Sequence, residues 1–348
     1  MAVDADQPRW RRWVRPVLLF LLAIAVARVV VGFIGAIDWA TVGDALGHLA
    51  LWQLPVLVFV VVVRQVLNAS PLAIFIPGLG LYRATVNDQA SILMCTVAPP
   101  PADLVIRVSM FKSWGIEVSR ALAGVVMNTV SFYITRWYTP VIGFSLVLYD
   151  RFDQTFAWAA VIGTVAAAAL VVVVRIVASG EQAARWIGAL AGRIVHRVRS
   201  TVDPDAWADA VARFRAHVID NLRRGLPRSL LALLAMVAVD ALALVLAVRF
   251  VDVPASSLPA VEIVAAYMVT YPLTMFPVFG IGILDAASLA VMVAYAGLEY
   301  ESYLVAALTV WRIVTIATPL VLGAAAIPLW KRMVPADVAG QVDERRRP

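Results

Sequence analysis

Long apolar runs alternate with short polar punctuation along this chain. Val17–Ile37, Trp52–Asn68, Val118–Tyr149, Phe156–Val177, Ser229–Phe250 and Tyr303–Leu329 carry few charges. Most sit near the ~20 apolar residues that cross a bilayer as one helix, whereas Val118–Tyr149 is too long for one straight span and is expected to kink at Pro140. Two further runs are apolar but broken. Tyr271–Gly297 contains Pro272, Pro277, Gly280 and Gly282, with Asp285 just beyond the break. Val97–Gly115 contains Pro99-Pro100-Pro101, then Asp103 and Arg107. A broken helix frees carbonyls and amides that lipid cannot satisfy, so this backbone must face protein or a water-lined cavity. In both breaks a charge stands eight positions after a proline, 99 to 107 and 277 to 285. The pattern predicts an all-α polytopic membrane protein with about six full spans and two re-entrant elements, residues 84–116 and 263–297. Paired interruptions in corresponding positions are the sequence-level pointer to a transporter's binding site, here with Pro99, Pro101, Pro277, Gly280 and Gly282 as the gating positions.

The loops give an orientation. Arg9, Arg11, Arg12 and Arg15 precede the first run, which is too long for a typical signal core and is expected to stay as an uncleaved span. Arginines crowd residues 181–228, and Lys331, Arg332 and Arg345-Arg346-Arg347 close the chain. Asp38–Ala50, Asp150–Asp153, Val251–Glu262 and Glu299–Glu301 are acidic in balance. Basic loops stay in the cytoplasm, so both termini and the insertion are expected there. Residues 14–178 and 229–330 then form two halves related by inversion within one membrane domain, residues 1–348. Within the insertion, Trp186, Leu190, Ile194 and Val198 recur at helical spacing, as do Trp207, Val211, Phe214, Val218 and Leu222. With arginines on the other face, these read as amphipathic helices in the membrane interface; a small soluble helical hairpin is the alternative.

Composition agrees: 62% of residues are hydrophobic and mean hydropathy is +0.86, against about 45–50% apolar in globular chains. The formal charge of +6 is accounted for by the cytoplasmic segments and does not point to nucleic acid. The rarity of lysine (Lys112 and Lys331 only), with abundant Ala and Val, fits a GC-rich bacterial genome. Cys95 stands alone, which excludes an internal disulfide. His48, His196 and His217 are scattered without a zinc-binding spacing, so no metal is expected. Gly78-Leu79-Gly80 and Gly280-Ile281-Gly282 are isolated fragments, neither continuing as a phosphate loop, so no nucleotide or other cofactor is expected.

The charges inside the apolar runs are Arg64, Arg107, Arg136, Asp240, Asp285 and Arg312. Such residues are costly in lipid and mark function by default. Four arginines against two aspartates leave two positive charges in surplus, and guanidinium groups bind phosphate through two parallel hydrogen bonds. A lipid phosphate would supply the missing anion. Blander roles stand beside this one. Arg64 can snorkel to the interface, Asp240 can pack as a neutral acid, and Arg312 with Asp285 can be a structural ion pair. Arg107, following the triple proline, is the hardest to explain by packing.

Arg64, Pro99-Pro100-Pro101-Ala102-Asp103, Arg107 and Gly115-Ile116 together resemble the first half of the lysylphosphatidylglycerol-synthase transmembrane, or flippase-like, family. Phe276-Pro277, Gly280-Ile281-Gly282, Asp285-Ala286-Ala287, Gly297 and Arg312 resemble its second half. The resemblance covers roughly residues 14–331, with the second motif the more specific. Two departures stand out: the family usually has glutamate where this chain has Asp285, and commonly a glycine after the proline where this chain has more proline. Family members fused to a cytosolic aminoacyl transferase domain make a lysyl lipid and move it across the bilayer. Only about 17 residues follow the last span here, so the resemblance implies the lipid-moving module alone. The expected function is movement of a phospholipid or polyprenyl-phosphate lipid across the bacterial inner membrane. Arg107, Arg136 and Arg312 would hold the phosphate and Asp285 would position an arginine. An intramembrane lipid-phosphate transferase using Asp103 or Asp285 as base is one alternative. A scaffold that binds a glycosyltransferase through residues 181–228 is another.

Overall fold

A computed structural model of the protein describes Gly47 and residues 50–98, 101–147, 154–198, 203–276 and 280–333. The expected first span, Pro99, Pro277, the Asp150–Asp153 loop and the terminal arginines lie outside the described residues. Among the described residues the structure is all-helical.

The helices are α1 (Gln53–Phe75), α2 (Gly80–Val97), α3 (Ala102–Ser113), α4 (Val118–Val147), α5 (Gln154–Ser179), α6 (Glu181–Val198), α7 (Pro204–Phe250), α8 (Ala260–Thr270), α9 (Ile283–Ala296) and α10 (Glu301–Arg332). A 3₁₀ turn, Tyr271–Met275, extends α8. Four helical segments are long and apolar enough to cross a membrane: Gln53–Phe75, Ala160–Val177, Arg224–Phe250 and Leu298–Arg332. By length and composition these fit a helical membrane protein. The run from 118 also forms one helix of 30 residues. Buried Asn128, Ser131, Thr135 and Thr139 make it more polar than the other four, and they face protein rather than lipid. Proline is tolerated inside α1, α4, α7 and α10 because neighbouring helices and Ser/Thr side chains can re-satisfy freed backbone groups. Thr139, for example, donates its hydroxyl to Arg136 O at 2.8 Å, one turn from Pro140.

Both broken runs fold as two short helices between two long ones. The order long–short–short–long holds for α1–α2–α3–α4 and again for α7–α8–α9–α10. Packing follows the same correspondence. α2 lies against α10 and its counterpart α8 against α4; α1 meets α4 and α10 while α7 meets α10 and α4; α1 and α7 pack on each other. The closest approaches match as well. Gly143 of α4 sits against Ala265 and Met268 of α8, and Gly323 of α10 sits against Gln89 and Leu93 of α2. Each glycine follows a buried Thr-Pro step, Thr139-Pro140 and Thr318-Pro319. A Cβ on Gly323 would fall 2.6 Å from Gln89 O. Gly323→Ala should therefore push α10 from α2 and cost about 1–3 kcal/mol, the usual range for overpacking. A lowered melting temperature in detergent, with the transition still cooperative, is the expected reading.

The insertion differs from interfacial helices lying apart. α6 packs along the first part of α7. Arg185 reaches Asp209 across the pair at 2.5 Å, and Gly188 lets the backbone of Trp207 approach. The two amphipathic stretches thus form a helical hairpin. Asp203 caps its second arm by accepting from Asp205 N–H at 2.9 Å, with Pro204 at the first helical position. That arm runs without interruption into the apolar span Arg224–Phe250. At 1.5 Å per residue, α7 is about 70 Å long, more than twice the ~30 Å hydrocarbon core, so the hairpin extends beyond the span. α5 packs chiefly on α4, and its Val161, Ile162 and Val165 are exposed.

Candidate functional site

Burying a charge inside a bundle requires a partner or a wet cavity. The bundle supplies partners and a cavity. A cavity of about 220 Å³ opens between α1, α4, α7, α8 and α10. Four of the six predicted charges line it: Arg64, Arg136, Asp240 and Arg312. Both breaks reach its edge. Ile92 and Thr96, in the last turns of α2 before the triple proline, border it on one side, and Thr274, Ile281 and Leu284, flanking the second break, border it on the other. Described residues flanking both interruptions thus border the same cavity.

Asp240 is 2% exposed. Its Oδ2 accepts from Arg64 Nε at 3.1 Å and from Tyr267 OH at 2.8 Å. Arg64 also donates through Nη1 to Gln65 Oε1 at 2.7 Å. Arg64 is therefore held inward by Asp240 instead of snorkelling outward. Asp240, in turn, has an ionic partner that a neutral packing acid would not need.

Asp285 is set by backbone geometry. Gly280 and Gly282 have φ of +71° and +83°, a region open to glycine at little cost. At Gly280 a side chain would also collide with Leu273 O. This turn points the start of α9 at the protein interior, where Asp285 accepts from Gly282 N–H at 2.9 Å. The carboxylate thus returns to the helix N-terminus, where a negative charge is favoured. Its other oxygen pairs with Arg312, with Nε at 3.0 Å and Nη2 also bonded. Arg312 lies over the Trp311 ring at 4.7 Å. Asp285 faces a second cavity of about 240 Å³, lined also by Leu289, Leu308, Thr309 and Arg312. Arg312 borders both spaces, so the ion pair stands between them.

Arg107 lies elsewhere. Its Nε donates to Ser91 Oγ at 3.2 Å, Nη1 to Asn87 Oδ1 at 3.1 Å and Nη2 to Asp88 Oδ1 at 3.1 Å. Asn87 returns a bond to Arg107 O at 3.2 Å, and Asn68 donates to the other oxygen of Asp88 at 2.6 Å. These contacts bind α3 to α2 and α2 to α1. Arg107 is not among the residues lining the cavity, whose wall it fastens through Asn68. Pro101 stands immediately before α3, whose first turn carries Asp103.

Asp88 alters the charge count. It sits 4% exposed in α2 between Asn87 and Gln89, within a helix whose Arg83, Thr85, Ser91 and Thr96 are polar too. With it, four arginines face three aspartates, and the surplus is one. Arg64, Arg107 and Arg312 each have a carboxylate. Arg136 has none within ion-pair distance among the described residues. It lies 5.7 Å from the Tyr133 ring and 5.9 Å from the Tyr271 ring, and its Nε is buried without a hydrogen bond. Gln65 Nε2, Trp311 Nε1 and Asp240 Oδ1, all on residues lining the cavity, are likewise unpartnered. Tyr267, Tyr271 and Trp311, which complete the wall, were not separable in the sequence from the aromatic residues of the membrane interfaces.

Among the described residues no group of three His, Cys, Asp or Glu is placed to hold a metal. Fold and site together define a polytopic helical membrane protein with an arginine-rich cavity inside its bundle. No family model, characterised protein or solved structure matches the chain.

Proposed function

We propose that the protein is a flippase-like transporter that moves a phosphate-bearing lipid, phospholipid or polyprenyl-phosphate, across the bacterial inner membrane. The observation that carries this reading is Arg136, a guanidinium without a carboxylate among the described residues, in a cavity bordered by both broken elements. A phosphate crossing the bilayer must exchange water for fixed donors, and arginine offers a planar fork that suits it. The cavity volume of about 220 Å³ is below the ~300–1,000 Å³ of sites that enclose a drug-sized ligand. It fits a headgroup, while the acyl or prenyl chains stay outside in lipid. In this account Arg136 takes the phosphate, and Arg64 and Arg312 exchange carboxylate for phosphate as it passes. Asp240 and Asp285 reclaim the arginines afterwards, Gly280 and Gly282 with the prolines hinge the gates, and Arg107 keeps the α2–α3 wall in place.

The matched packing of α1–α4 and α7–α10 supports reading the two halves as an inverted repeat. With the basic segments cytoplasmic, both termini and the α6–α7 hairpin lie inside, and six spans result if the first apolar run crosses. The hairpin then offers a cytoplasmic surface to a lipid-modifying enzyme such as a glycosyltransferase. The likeness of Gly280-Ile281-Gly282, Asp285 and Arg312 to the lysylphosphatidylglycerol-synthase transmembrane family favours the same function. A transferase is favoured less: Asp285 is committed to Arg312 and to a helix terminus, and Asp103 is not among the cavity-lining residues.

Vesicles reconstituted with the purified chain and a tail-labelled fluorescent anionic lipid provide the test. Dithionite bleaches only the outer leaflet, so protein-free vesicles should retain about half of their signal. Protein-containing vesicles should approach full bleaching at a rate that rises with protein content. Identical traces with and without protein would refute lipid movement by this chain.

A further inference from the structure

Resting on that reading, we infer that the second cavity is a side door between α9 and α10 that takes the hydrocarbon chain of the transported lipid, with the Asp285–Arg312 pair as its latch.

The two cavities differ in chemistry. Arg64, Gln65, Asn68, Arg136 and Asp240 are among the residues that wall the first. The second is a recess of about 240 Å³ with four aliphatic walls, Leu289, Val305, Leu308 and Ile313, completed by Thr309 and the ion pair. The Thr309 hydroxyl is already used on Val305 O at 2.8 Å. Arg312 alone lines both spaces. A polar pocket joined to an apolar recess at one guanidinium matches an amphiphile, whose phosphate and chain also meet at one point. A water-soluble phosphate ester would fill the first space and have no use for the second.

Depth in the bilayer points the same way. Arg312 and Ile313 stand in the middle third of the apolar span Leu298–Arg332, so the recess lies at the level of the hydrocarbon core. Ile313, 60% exposed, forms its rim, while Leu289, Val305 and Leu308 are buried behind it. The side chains of Asp285 and Arg312 keep 22% and 14% of their surface accessible. Accessible charge at that depth is costly to keep, and a headgroup drawn from one space to the other gives it a function. As the headgroup enters, Arg312 turns from Asp285 to the phosphate. Asp285 keeps its bond from Gly282 N–H at 2.9 Å and its place at the helix N-terminus, so the open latch does not strand an anion.

The recess can be filled after the protein has folded. In a chain carrying Cys95→Ser, which removes the one native thiol, Thr309→Cys is treated with benzyl methanethiosulfonate in detergent. Intact mass confirms the adduct, and the protein is then placed in vesicles. Albumin back-extraction reads the movement of a short-chain fluorescent phosphatidylglycerol and, separately, of a short-chain fluorescent polyprenyl phosphosugar. Each rate is compared with that of the same variant before modification. The benzyl adduct should slow the moving lipid tenfold or more, and dithiothreitol should restore it. The smaller methyl adduct should slow it far less. Thr309→Trp, which needs no reagent, should match the benzyl adduct at a melting temperature near wild type. The lipid that is stopped identifies the chain as acyl or prenyl. The benzyl group on Val161→Cys, exposed on α5 and outside both linings, should change nothing. Undiminished movement with the benzyl adduct on Thr309→Cys would overturn the side door while leaving lipid movement standing. So would equal losses from the methyl adduct or from the benzyl group on Val161→Cys. A wild-type chain that moves neither lipid would overturn both.

Discussion

Arg107→Ala is expected to be the most destabilising of the arginine truncations in the bundle, by about 3–5 kcal/mol. The sequence makes Arg107 a leading candidate phosphate ligand, because it follows the triple proline and belongs to the cationic surplus. In the fold its three donors are used on Ser91, Asn87 and Asp88. Its removal leaves Asp88, 4% exposed, as a buried carboxylate facing only the Asn68 amide, and it removes the side-chain bonds that hold α3 to α2 while the Asn87 bond to the residue 107 carbonyl remains. Asp88→Asn in the same chain should recover part of the loss, since an uncharged amide is far cheaper to bury than an uncompensated anion. Arg107→Lys should recover little, because an ammonium cannot address three partners in one plane. Melting followed by tryptophan fluorescence in detergent provides the check. Arg107→Ala should melt well below wild type and the double variant between them. An unchanged melting temperature for Arg107→Ala would show that Arg107 is free to serve a ligand.

The membrane architecture was legible in the chain because lipid imposes a simple rule: apolar for about 20 residues, or broken and then covered. Four of the predicted spans and both broken elements follow from it. What hydropathy could not supply is pairing, which depends on contacts between distant helices. Arg64 with Asp240 is separated by 176 positions, and nothing local to either residue names the other. Arg312 with Asp285 was more accessible, because a carboxylate just after a glycine turn is placed for a helix N-terminus and the next long helix brings an arginine past it. Asp88 was hidden by the moderate polarity of its own helix, and missing it doubled the apparent cationic surplus. The hairpin of α6 with α7 shows a further limit. Amphipathic periodicity specifies a buried face, and whether that face meets lipid or another helix is decided by the partner.

Asp285 also gives a physical reading of the shorter acid where the resembling family usually has glutamate. At the third position of α9 the aspartate reaches Gly282 N–H and still holds Arg312, so one carboxylate both caps the helix and pairs the arginine.

Arg136 is where the account is most exposed. It has no carboxylate partner among the described residues and an unbonded Nε, so its removal takes away a charge without stranding another. Arg136→Ala should therefore leave the fold near wild-type stability, losing its contacts to the Tyr133 and Tyr271 rings and its polar interaction with the Tyr271 hydroxyl. Its transport should fall at least tenfold, because a charge-assisted bond to the passing phosphate contributes about 1.5–3 kcal/mol. The decisive measurement is the dithionite-bleaching rate of a tail-labelled fluorescent phosphatidylglycerol in vesicles, comparing wild type with Arg136→Ala at equal protein and equal melting temperature. Loss of the protein-dependent phase in the variant is the predicted result. A variant that moves the lipid as fast as wild type would contradict the claim that this cavity conducts a phosphate.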